Sequence, residues 1–314
     1  MAMKKLYANL HSHSTHSDGV YSPTEMANVA KKEGYGAIAI TDHDVITGYP
    51  ELKLECDRIG MKTLFGVEFS SPFSELNTTY HMTAFNFDSE YPPIKQYLEE
   101  RSYCETYQTR VLFERGVSLN LISGITWDEV LDFNKGITWL CNEHVFRAMK
   151  AKGLVTDIDH IPFFRSVFGK HREEVKLPFD FKPGREIIKL VHDAGGIIII
   201  AHPAGPYGSV SQIEDLVRMG ADGVEVWHGL MTTEDKKEAL RQALKYNLYI
   251  SGGSDHDGLC GGLYSRFVDP TTTRHFAPEC SLGTTKEFFE EISNMKKLPE
   301  RRELIEYYIE GINV

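Results

Sequence analysis

The chain has 314 residues, of which 41% are hydrophobic and 25% are charged, which is typical of one large folded domain or a domain with an insertion. Its formal net charge of −11 argues against a general nucleic-acid-binding surface, because clusters of Lys and Arg bind phosphate backbones. The five cysteines form no Cys-x-x-Cys pair, no apolar run approaches a membrane span, and the start lacks a signal-peptide pattern, so we expect a cytoplasmic protein with reduced thiols and no membrane contact.

The first predicted strand, at 6–10, runs into the sequence Leu-His-Ser-His-Ser-Thr-His-Ser-Asp-Gly. His11 and His13 are two residues apart, so both imidazoles point to one side of an extended backbone. Asp18 follows five residues later, and Gly19 favours a tight loop that returns this carboxylate to the imidazoles. The pattern by itself is typical either of a metal clamp or of a polar surface loop, and residues later in the chain decide between them.

Helices and strands then alternate, with polar residues following the strands. Helices are predicted at 23–32 and 48–59, and strands at 37–40, 63–67 and 79–85. His43 and Glu68 come just after the second and third strands, and His81 lies within the next one. This alternation predicts an α/β barrel or a doubly wound sheet, in which chemistry is placed at the carboxyl ends of the strands.

The alternation stops between residues 93 and 182. This region has predicted helices at 94–115 and 143–152 and a Phe-rich segment at 161–168. We therefore expect a mostly helical insertion that caps the site and divides the α/β domain into 1–92 and 183–275. A helical tail at 276–314 is expected to pack on that domain.

The alternation of helices and strands resumes at residue 184, and polar residues again follow the predicted strands. Predicted strands at 197–201, 223–227 and 248–251 are followed by His202, by His228 and by the run Gly-Gly-Ser-Asp-His-Asp-Gly. Imidazoles and carboxylates without thiolates suit Zn, Mn, Fe or Mg, and one ion takes about four to six ligands. The set therefore predicts two or three divalent ions. The candidate ligands are His11, His13, Asp18, His43, Glu68, His81, His202, Asp255 and Asp257, with His256 as the alternative to Asp257.

Together these motifs resemble the polymerase and histidinol phosphatase (PHP) family. The resemblance lies in His-Ser-His with a later Asp-Gly, Thr-Asp-His-Asp, Gly-Val-Glu, the isolated His81, Ala-His-Pro and Gly-Ser-Asp. It implies a distorted (β/α)7 barrel of the TIM-like type with a trinuclear metal centre. By the same resemblance, one ion takes His11, His13, Glu68 and Asp255. A second takes Glu68, His81 and His202, and a third takes Asp18, His43 and the residue two beyond Asp255.

The sequence departs from the family pattern at that last ligand. The family usually has Ser-Asp-x-His, whereas Asp257 stands here at the position of the histidine. A carboxylate can still bind and would favour Mn or Mg at the third site. Alternatively, His256 replaces it, or the third ion binds weakly.

The insertion resembles the branch of the family that acts on nucleotides and other small phosphate esters. The segment around His144 and Arg147 is similar to that branch's Arg-x-His-Phe-x-x-Arg pattern, although Asn142 stands at the first Arg. His144, Arg147 and Lys170 are therefore the candidates for binding substrate phosphate. Arg147 and Lys170 are alternatively solvated surface charges.

The resulting hypothesis is a metal-dependent phosphoesterase that cleaves a small phosphorylated metabolite: a nucleoside mono- or bisphosphate, or a cyclic or sugar phosphate. Glu68 and Asp18 are its catalytic carboxylates, and a hydroxide between two ions is expected to attack phosphorus in line. His228 is the candidate general acid, or alternatively a structural partner of Glu225. Asp42 and Asp44 are expected to orient the site.

Two rival functions stay open at this point. A metal-dependent amidohydrolase shares the His-x-His opening, although no Lys stands at a strand end. The second rival is a PHP domain that binds a metal ion or a ligand without catalysing a reaction. We expect no membrane partner and no polymeric nucleic acid, and the sequence leaves the oligomeric state open.

Overall fold

The computed structural model describes residues 6–169, 171–205, 208–255 and 282–312, and the strands in these ranges form two sheets. The first sheet has three parallel strands: β1 (Ala8–Asn9), β2 (Ala37–Ile38) and β3 (Lys62–Thr63). The second sheet has five strands, ordered β4 (Gly66–Phe73), β5 (Thr78–Phe85), β6 (Ile197–Ile200), β7 (Gly223–Trp227) and β8 (Tyr249–Gly252). Strand β5 is antiparallel to both neighbours, and β6, β7 and β8 are parallel.

Backbone hydrogen bonds connect the two sheets on both sides. The Leu10 N–H donates to the Gly252 carbonyl at 3.1 Å, and the Asp255 N–H donates to the His11 carbonyl at 2.8 Å, which joins β1 to β8. On the other side, the Asp44 N–H donates to the Glu68 carbonyl at 2.9 Å, which joins the segment after β2 to β4. The loops that carry the candidate ligands are thus fixed at the junctions of the sheets.

Helices pack around the sheets and in the region between β5 and β6. In chain order they are α1 (Pro23–Glu33), α2 (Tyr49–Ile59), α3 (Pro92–Ser118), α4 (Trp127–Phe133), α5 (Asn142–Ala151), α6 (His160–Phe163), α7 (Gly184–Asp193), α8 (Ile213–Arg218), α9 (Thr233–Tyr246), α10 (Lys286–Asn294) and α11 (Arg301–Gly311). Helix α1 begins at Pro23 after a Ser22 cap and ends at Gly34, whose φ of 91° favours glycine. No helix in the described ranges is long and apolar enough to cross a membrane.

The region between β5 and β6 has a hydrophobic core of its own. Buried side chains from α3, α4, α5 and the segment 160–169 form this cluster, which includes Leu112, Val130, Phe146 and Phe168. It is distinct from the main cluster, in which the strands pack against α1, α2, α7 and α9. The division of the chain into an α/β domain and an inserted helical unit stays a prediction.

The α/β class and the position of His81 within a strand are as predicted, but Glu68 lies inside its strand and not after it. The single strand predicted at 63–67 is two strands, and Glu68 is the third residue of the eight-residue strand β4. His81 lies within β5, which runs antiparallel, so neither residue stands after a carboxyl end. The hairpin register pairs Ser70 with His81, and this places Glu68 and His81 on one face of the sheet.

Candidate metal centre

A fully buried carboxylate, Glu68, lies at the centre of the candidate ligands. Its Oε1 is 3.1 Å from His11 Nε2, 3.1 Å from His81 Nδ1 and 3.2 Å from His202 Nε2. Its Oε2 is 3.2 Å from both His13 Nε2 and His43 Nδ1. Five imidazoles from four segments of the chain therefore surround this one side chain: those of His11, His13, His43, His81 and His202.

A second buried carboxylate, Asp255, closes one side of this cluster. Its Oδ1 lies 3.0 Å from His13 Nε2 and 3.7 Å from His11 Nε2. One oxygen or nitrogen atom from each of His11, His13, Glu68 and Asp255 lies within 4.8 Å of the others. These are the four residues that the family resemblance implies for one ion.

Asp18 lies beside the cluster on the loop that follows β1. Its carboxylate lies 3.6 Å from His13 Nδ1 and 3.8 Å from His43 Nε2. The side chain of Asp42 holds this loop, because it accepts hydrogen bonds from the Ser14 N–H at 2.6 Å and from the Ser17 hydroxyl at 2.7 Å. Asp42 therefore orients the Asp18 loop.

Gly19 is required by the close packing of that loop. A Cβ atom at this position would lie 2.2 Å from the His13 carbonyl oxygen, which is far inside van der Waals contact. Any side chain here would displace either the His13 backbone or the turn after Asp18.

Glu225 orients two histidines of the centre, a role that the sequence argument missed. Its carboxylate accepts from His11 Nδ1 at 3.2 Å and from the His202 backbone N–H at 2.8 Å. These bonds direct His11 Nε2 toward Glu68. The available signal was a glutamate in the otherwise apolar strand β7, Gly-Val-Glu-Val-Trp.

His228 is buried beside Asp255. Its Nδ1 accepts a hydrogen bond from the Leu230 N–H at 3.1 Å, so a neutral ring carries its proton on Nε2. That Nε2 lies 3.5 Å from Asp255 Oδ2 and has no hydrogen-bond partner within the described residues. The predicted general acid therefore directs an N–H toward the cluster.

Burial and neighbouring charges shift the pKa values of these residues in opposite directions. Burial tends to raise the pKa of Glu68, but His11, His43 and His81 outweigh it and hold this pKa well below the usual value. Burial tends to lower the pKa of His11, but Glu68, Glu225 and Asp255 raise it well above the usual value. For His202 burial prevails and lowers the pKa to about 4. These neighbours therefore favour the ionised form of the Glu68 carboxyl group.

The residues at this position suit divalent cations. His11 Nε2, His13 Nδ1, His43 Nδ1 and Glu68 Oε2 are buried, and in the described part of the chain none of them has a hydrogen-bond partner. Buried polar atoms without partners are costly, whereas nitrogen and carboxylate ligands of a shared ion need no hydrogen bond. Imidazole and carboxylate ligands are those that Zn, Mn and Fe bind in proteins.

Asp44 adjoins the centre without contributing a ligand to any of the candidate cation groups. It is buried with a φ of 50°, and burial raises the pKa of its carboxyl group to about 7. The charge of Arg101 has the largest opposing effect on this pKa.

His144 links helix α5 to the loop that carries Asp18. Its Nε2 donates to the Thr15 carbonyl at 3.1 Å, and its Nδ1 accepts from the Cys141 N–H at 2.9 Å. Burial and the charge of Arg147 lower its pKa well below the usual value. Both ring nitrogens are bonded to backbone, and a contact of His144 with substrate phosphate stays a prediction.

Arg147 keeps nitrogen atoms available for a ligand. One terminal N–H donates to the Gly19 carbonyl, whereas Nε and the other terminal nitrogen are buried without a partner among the described residues. The candidate phosphate ligand Lys170 lies outside the described residues, as do Asp257 and His256.

A model of the PHP domain matches residues 9–253. The chain belongs to the PHP domain family. It is 31% identical over 269 residues to a 5′-3′ exoribonuclease of Haemophilus influenzae, a match that covers 83% of this chain and 93% of that protein. It is 26% identical to phosphoribosyl 1,2-cyclic phosphate 1,2-diphosphodiesterase of Eggerthella lenta, covering 81% and 95% of the two chains. It is 29% identical to 3′,5′-nucleoside bisphosphate phosphatase of Chromobacterium violaceum, a match that covers 79% of this chain and 86% of that protein.

The PHP fold is also similar to that of a solved structure from Bifidobacterium adolescentis, provisionally assigned as a metal-dependent phosphoesterase. The TM-score is 0.74 at 25% identity, and the match covers 95% of this chain and 99% of that one. The predictions of a PHP family member and of a metal-dependent hydrolase of phosphate esters are confirmed by these comparisons. Because some relatives are named exoribonucleases, the exclusion of polymeric nucleic acid stays a prediction.

Proposed function

We propose that this PHP protein hydrolyses a phosphate ester of a small metabolite, with divalent ions held around Glu68. The observation that carries the proposal is the contact of both Glu68 oxygens with five imidazoles, with the carboxylates of Asp255 and Asp18 beside these imidazoles. A carboxylate that offers both oxygens to different groups is suited to bridge ions.

Three groups of residues would hold the ions. His11, His13, Glu68 and Asp255 form the first group, and Glu68, His81 and His202 form the second, since both histidines face Glu68 Oε1. Asp18 and His43 form the third, with Asp257 as its proposed further ligand. Bound divalent ions supply Lewis acidity, which lowers the pKa of water and stabilises negative charge on phosphoryl oxygens.

The side chains of the protein supply orientation and a proton. Glu225 fixes the direction in which His11 faces the centre, and Asp42 fixes the loop of Asp18. Arg147 directs two unpaired nitrogens toward phosphate oxygens from the insertion. His228 Nε2–H is placed to protonate the leaving oxygen.

We further infer that the eight strands close into the distorted barrel of this family and that residues 93–182 form a capping domain. The backbone bonds from β1 to β8 and from the segment after β2 to β4 support closure. The separate hydrophobic core of the insertion and its contacts with the Asp18 loop support a cap over the site.

Two classes of substrate are candidates. Relatives named as a bisphosphate phosphatase and a cyclic phosphate diesterase favour a small phosphate ester, as does the acidic net charge. The relative that is 31% identical is named as an exoribonuclease, which favours release of nucleotides from the 5′ end of RNA as the second candidate.

The test combines metal analysis with phosphate release. We expect two or three Mn, Fe or Zn ions per chain. We also expect hydrolysis of one substrate class among nucleoside mono- and bisphosphates, cyclic phosphates, sugar phosphates and short RNA. Asp255→Ala should lower kcat/KM by at least a hundredfold, whereas Asp57→Ala, an exposed carboxylate on α2, should have no effect. Activity that survives Asp255→Ala would contradict the proposed centre.

A further inference from the structure

An apolar cavity of about 640 Å³ lies between helix α3, the end of α4 and two loops of the chain. One of these loops, 45–47, follows the strand β2, and the other, 137–140, leads from α4 to α5. The apolar side chains that line the cavity include Val45, Leu98, Tyr103, Leu131, Ile137 and Leu140. Cavities of about 300–1,000 Å³ with mainly apolar walls are typical of sites for small molecules.

The charges at this cavity disfavour an anionic occupant. Among the described residues that line it, the charged ones are Glu90, Lys95 and Glu99, and Lys95 is paired with Glu90 at 2.7 Å. One negative charge therefore remains beside the cavity, and it repels phosphate groups. The walls favour an uncharged molecule, which distinguishes this cavity from the site of phosphate ester hydrolysis.

Tyr103 gives the cavity an aromatic rim. Its side chain is 57% exposed, and its ring centroid lies 6.3 Å from that of Tyr107, with 26° between the two ring planes. Leu131, which also lines the cavity, is 40% exposed. Large exposed apolar groups beside a cavity are typical of sites for ligands, and aromatic rings bind other rings by stacking. We therefore expect an occupant that carries aromatic rings.

One wall of the cavity also borders the metal centre. Thr138 and Leu140 line the cavity, whereas the ring of Trp139 between them stacks on His43 with 6.1 Å between ring centroids. Thr106 on α3 holds this wall in place, because its hydroxyl donates to the Thr138 carbonyl and accepts from the Leu140 N–H, both at 3.0 Å. The wall thus contacts the cavity and a proposed metal ligand at once.

The loop 45–47 connects the cavity to the same group of ligands. It follows His43 closely in the chain, and Thr47 Oγ1 in this loop is hydrogen-bonded with His16 Nδ1 at 2.8 Å. His16 lies two residues before Asp18. His43 and Asp18 are the residues of the proposed third ion group, so both segments that carry these ligands contact the walls of the cavity.

We propose that this cavity is a regulatory site for an uncharged aromatic small molecule, and that its occupancy strengthens binding of the ion near His43 and Asp18. The coupling to the ion rests on the proposed function, whereas binding to the cavity does not. A filled cavity restricts the wall and the loop that it shares with these ligands, so the ion has less to order when it binds. Coupling between two sites is reciprocal, so the ion must strengthen binding of the molecule by the same factor.

The first experiment titrates N-phenyl-1-naphthylamine, an uncharged molecule whose fluorescence rises in apolar surroundings, into the full chain with EDTA. We expect one bound molecule per chain. The probe 1-anilinonaphthalene-8-sulfonate has the same rings and a negative charge, and it should bind at least about fivefold more weakly. Leu131→Asp adds a charge to the wall and Ser102→Phe fills the cavity, so each should weaken binding of the uncharged probe about tenfold. Leu121→Asp, at a leucine of similar exposure that does not line the cavity, is the matched control and should have no effect.

The second experiment measures the coupling from free Mn by EPR, with and without saturating N-phenyl-1-naphthylamine. We expect the dissociation constant of one Mn ion to fall about fivefold or more, and the probe to bind more tightly by the same factor when Mn is present. Trp139→Leu removes the ring that contacts His43, so it should retain probe binding but lose this mutual effect.

No binding of the uncharged probe, equal binding of both probes, or equal binding by Leu131→Asp and the wild type would overturn the site. Probe binding that Mn leaves unchanged would reject the coupling. Because Leu131 is exposed, Leu131→Asp tests the site even if Ser102→Phe or Trp139→Leu does not fold. Probe binding that the cavity variants weaken supports the site even if no phosphate ester is hydrolysed. Hydrolysis without probe binding retains the proposed function and rejects the site.

Discussion

Glu225 holds His11 in one orientation through a buried hydrogen bond, and it also accepts from the His202 backbone. A histidine ligand gains affinity for metal when a carboxylate bonds its other ring nitrogen, since that bond fixes the tautomer and the ring. At the scale of single residues, the centre therefore depends on a side chain outside the proposed ligand set.

We predict that Glu225→Gln weakens metal binding or activity by about 10- to 100-fold, the range seen for partners of ligating histidines. The amide keeps the size of the side chain but loses the charge that orients His11. Dialysis against buffered Mn followed by elemental analysis, together with kcat/KM, measures the effect. Glu234→Gln, an exposed glutamate on α9, is the control, and equal behaviour of both variants would contradict the orienting role.

At the scale of elements, helix α5 and the Asp18 loop form one unit. His144 and Arg147 both donate to carbonyls of this loop, and His144 is fully buried between them. These hydrogen bonds therefore connect helix α5 to the loop that carries a proposed ligand.

His144→Ala should loosen this connection. It removes two hydrogen bonds and leaves a cavity, so we expect a loss of stability of about 2–4 kcal/mol and faster hydrogen exchange in residues 14–19. Binding of the ion near Asp18 should weaken more than binding at the Asp255 side, as an Mn titration followed by EPR would show. Lys150→Ala on the exposed face of α5 should leave both readouts unchanged. Unaltered exchange in this loop would contradict the link.

A histidine–aspartate pair joins α7 to the start of β7. His192 Nε2 donates to Asp222 at 2.7 Å, and this hydrogen bond raises the pKa of His192 above its usual value. Because the folded pKa exceeds the unfolded value of about 6.5, the stabilisation is complete below that pH and is lost as pH rises through the folded pKa.

We therefore expect His192→Gln to be less stable than the wild type at about pH 5.5 and nearly equal to it at about pH 9. Urea unfolding at both pH values measures the difference. Asp222 also accepts from the Ile198 N–H, a bond that His192→Gln leaves intact. A stability difference that is independent of pH would show that the charge of His192 has no role.

At the scale of the whole molecule, the proposed ligands come from segments throughout the chain, from the end of β1 to the end of β8. Ions bound to them would cross-link these segments in the folded state only. A ligand at one hundred times its dissociation constant adds about 2.7 kcal/mol of stability.

Removal of metal should accordingly lower the melting temperature by about 5–10 °C, given a shift of about 2–4 °C per kcal/mol for a chain of this size. Differential scanning calorimetry with EDTA, followed by readdition of Mn, measures the change and its reversal. Asp255→Ala should respond much less to the chelator. A melting temperature that does not respond to EDTA in the wild type would argue that no ion is bound.

The sequence by itself determined the α/β class, most element boundaries and the candidate ligands. These follow from local rules: alternation in strands places His11 and His13 on one side, and caps such as Ser22 and Gly34 define helix ends. The tertiary structure alone decided the antiparallel direction of β5, because strand direction depends on which neighbours pair. It also decided that His144 binds the Thr15 carbonyl 129 positions away and that Glu225 orients His11. Such contacts depend on packing between distant segments, and no spacing along the chain encodes them.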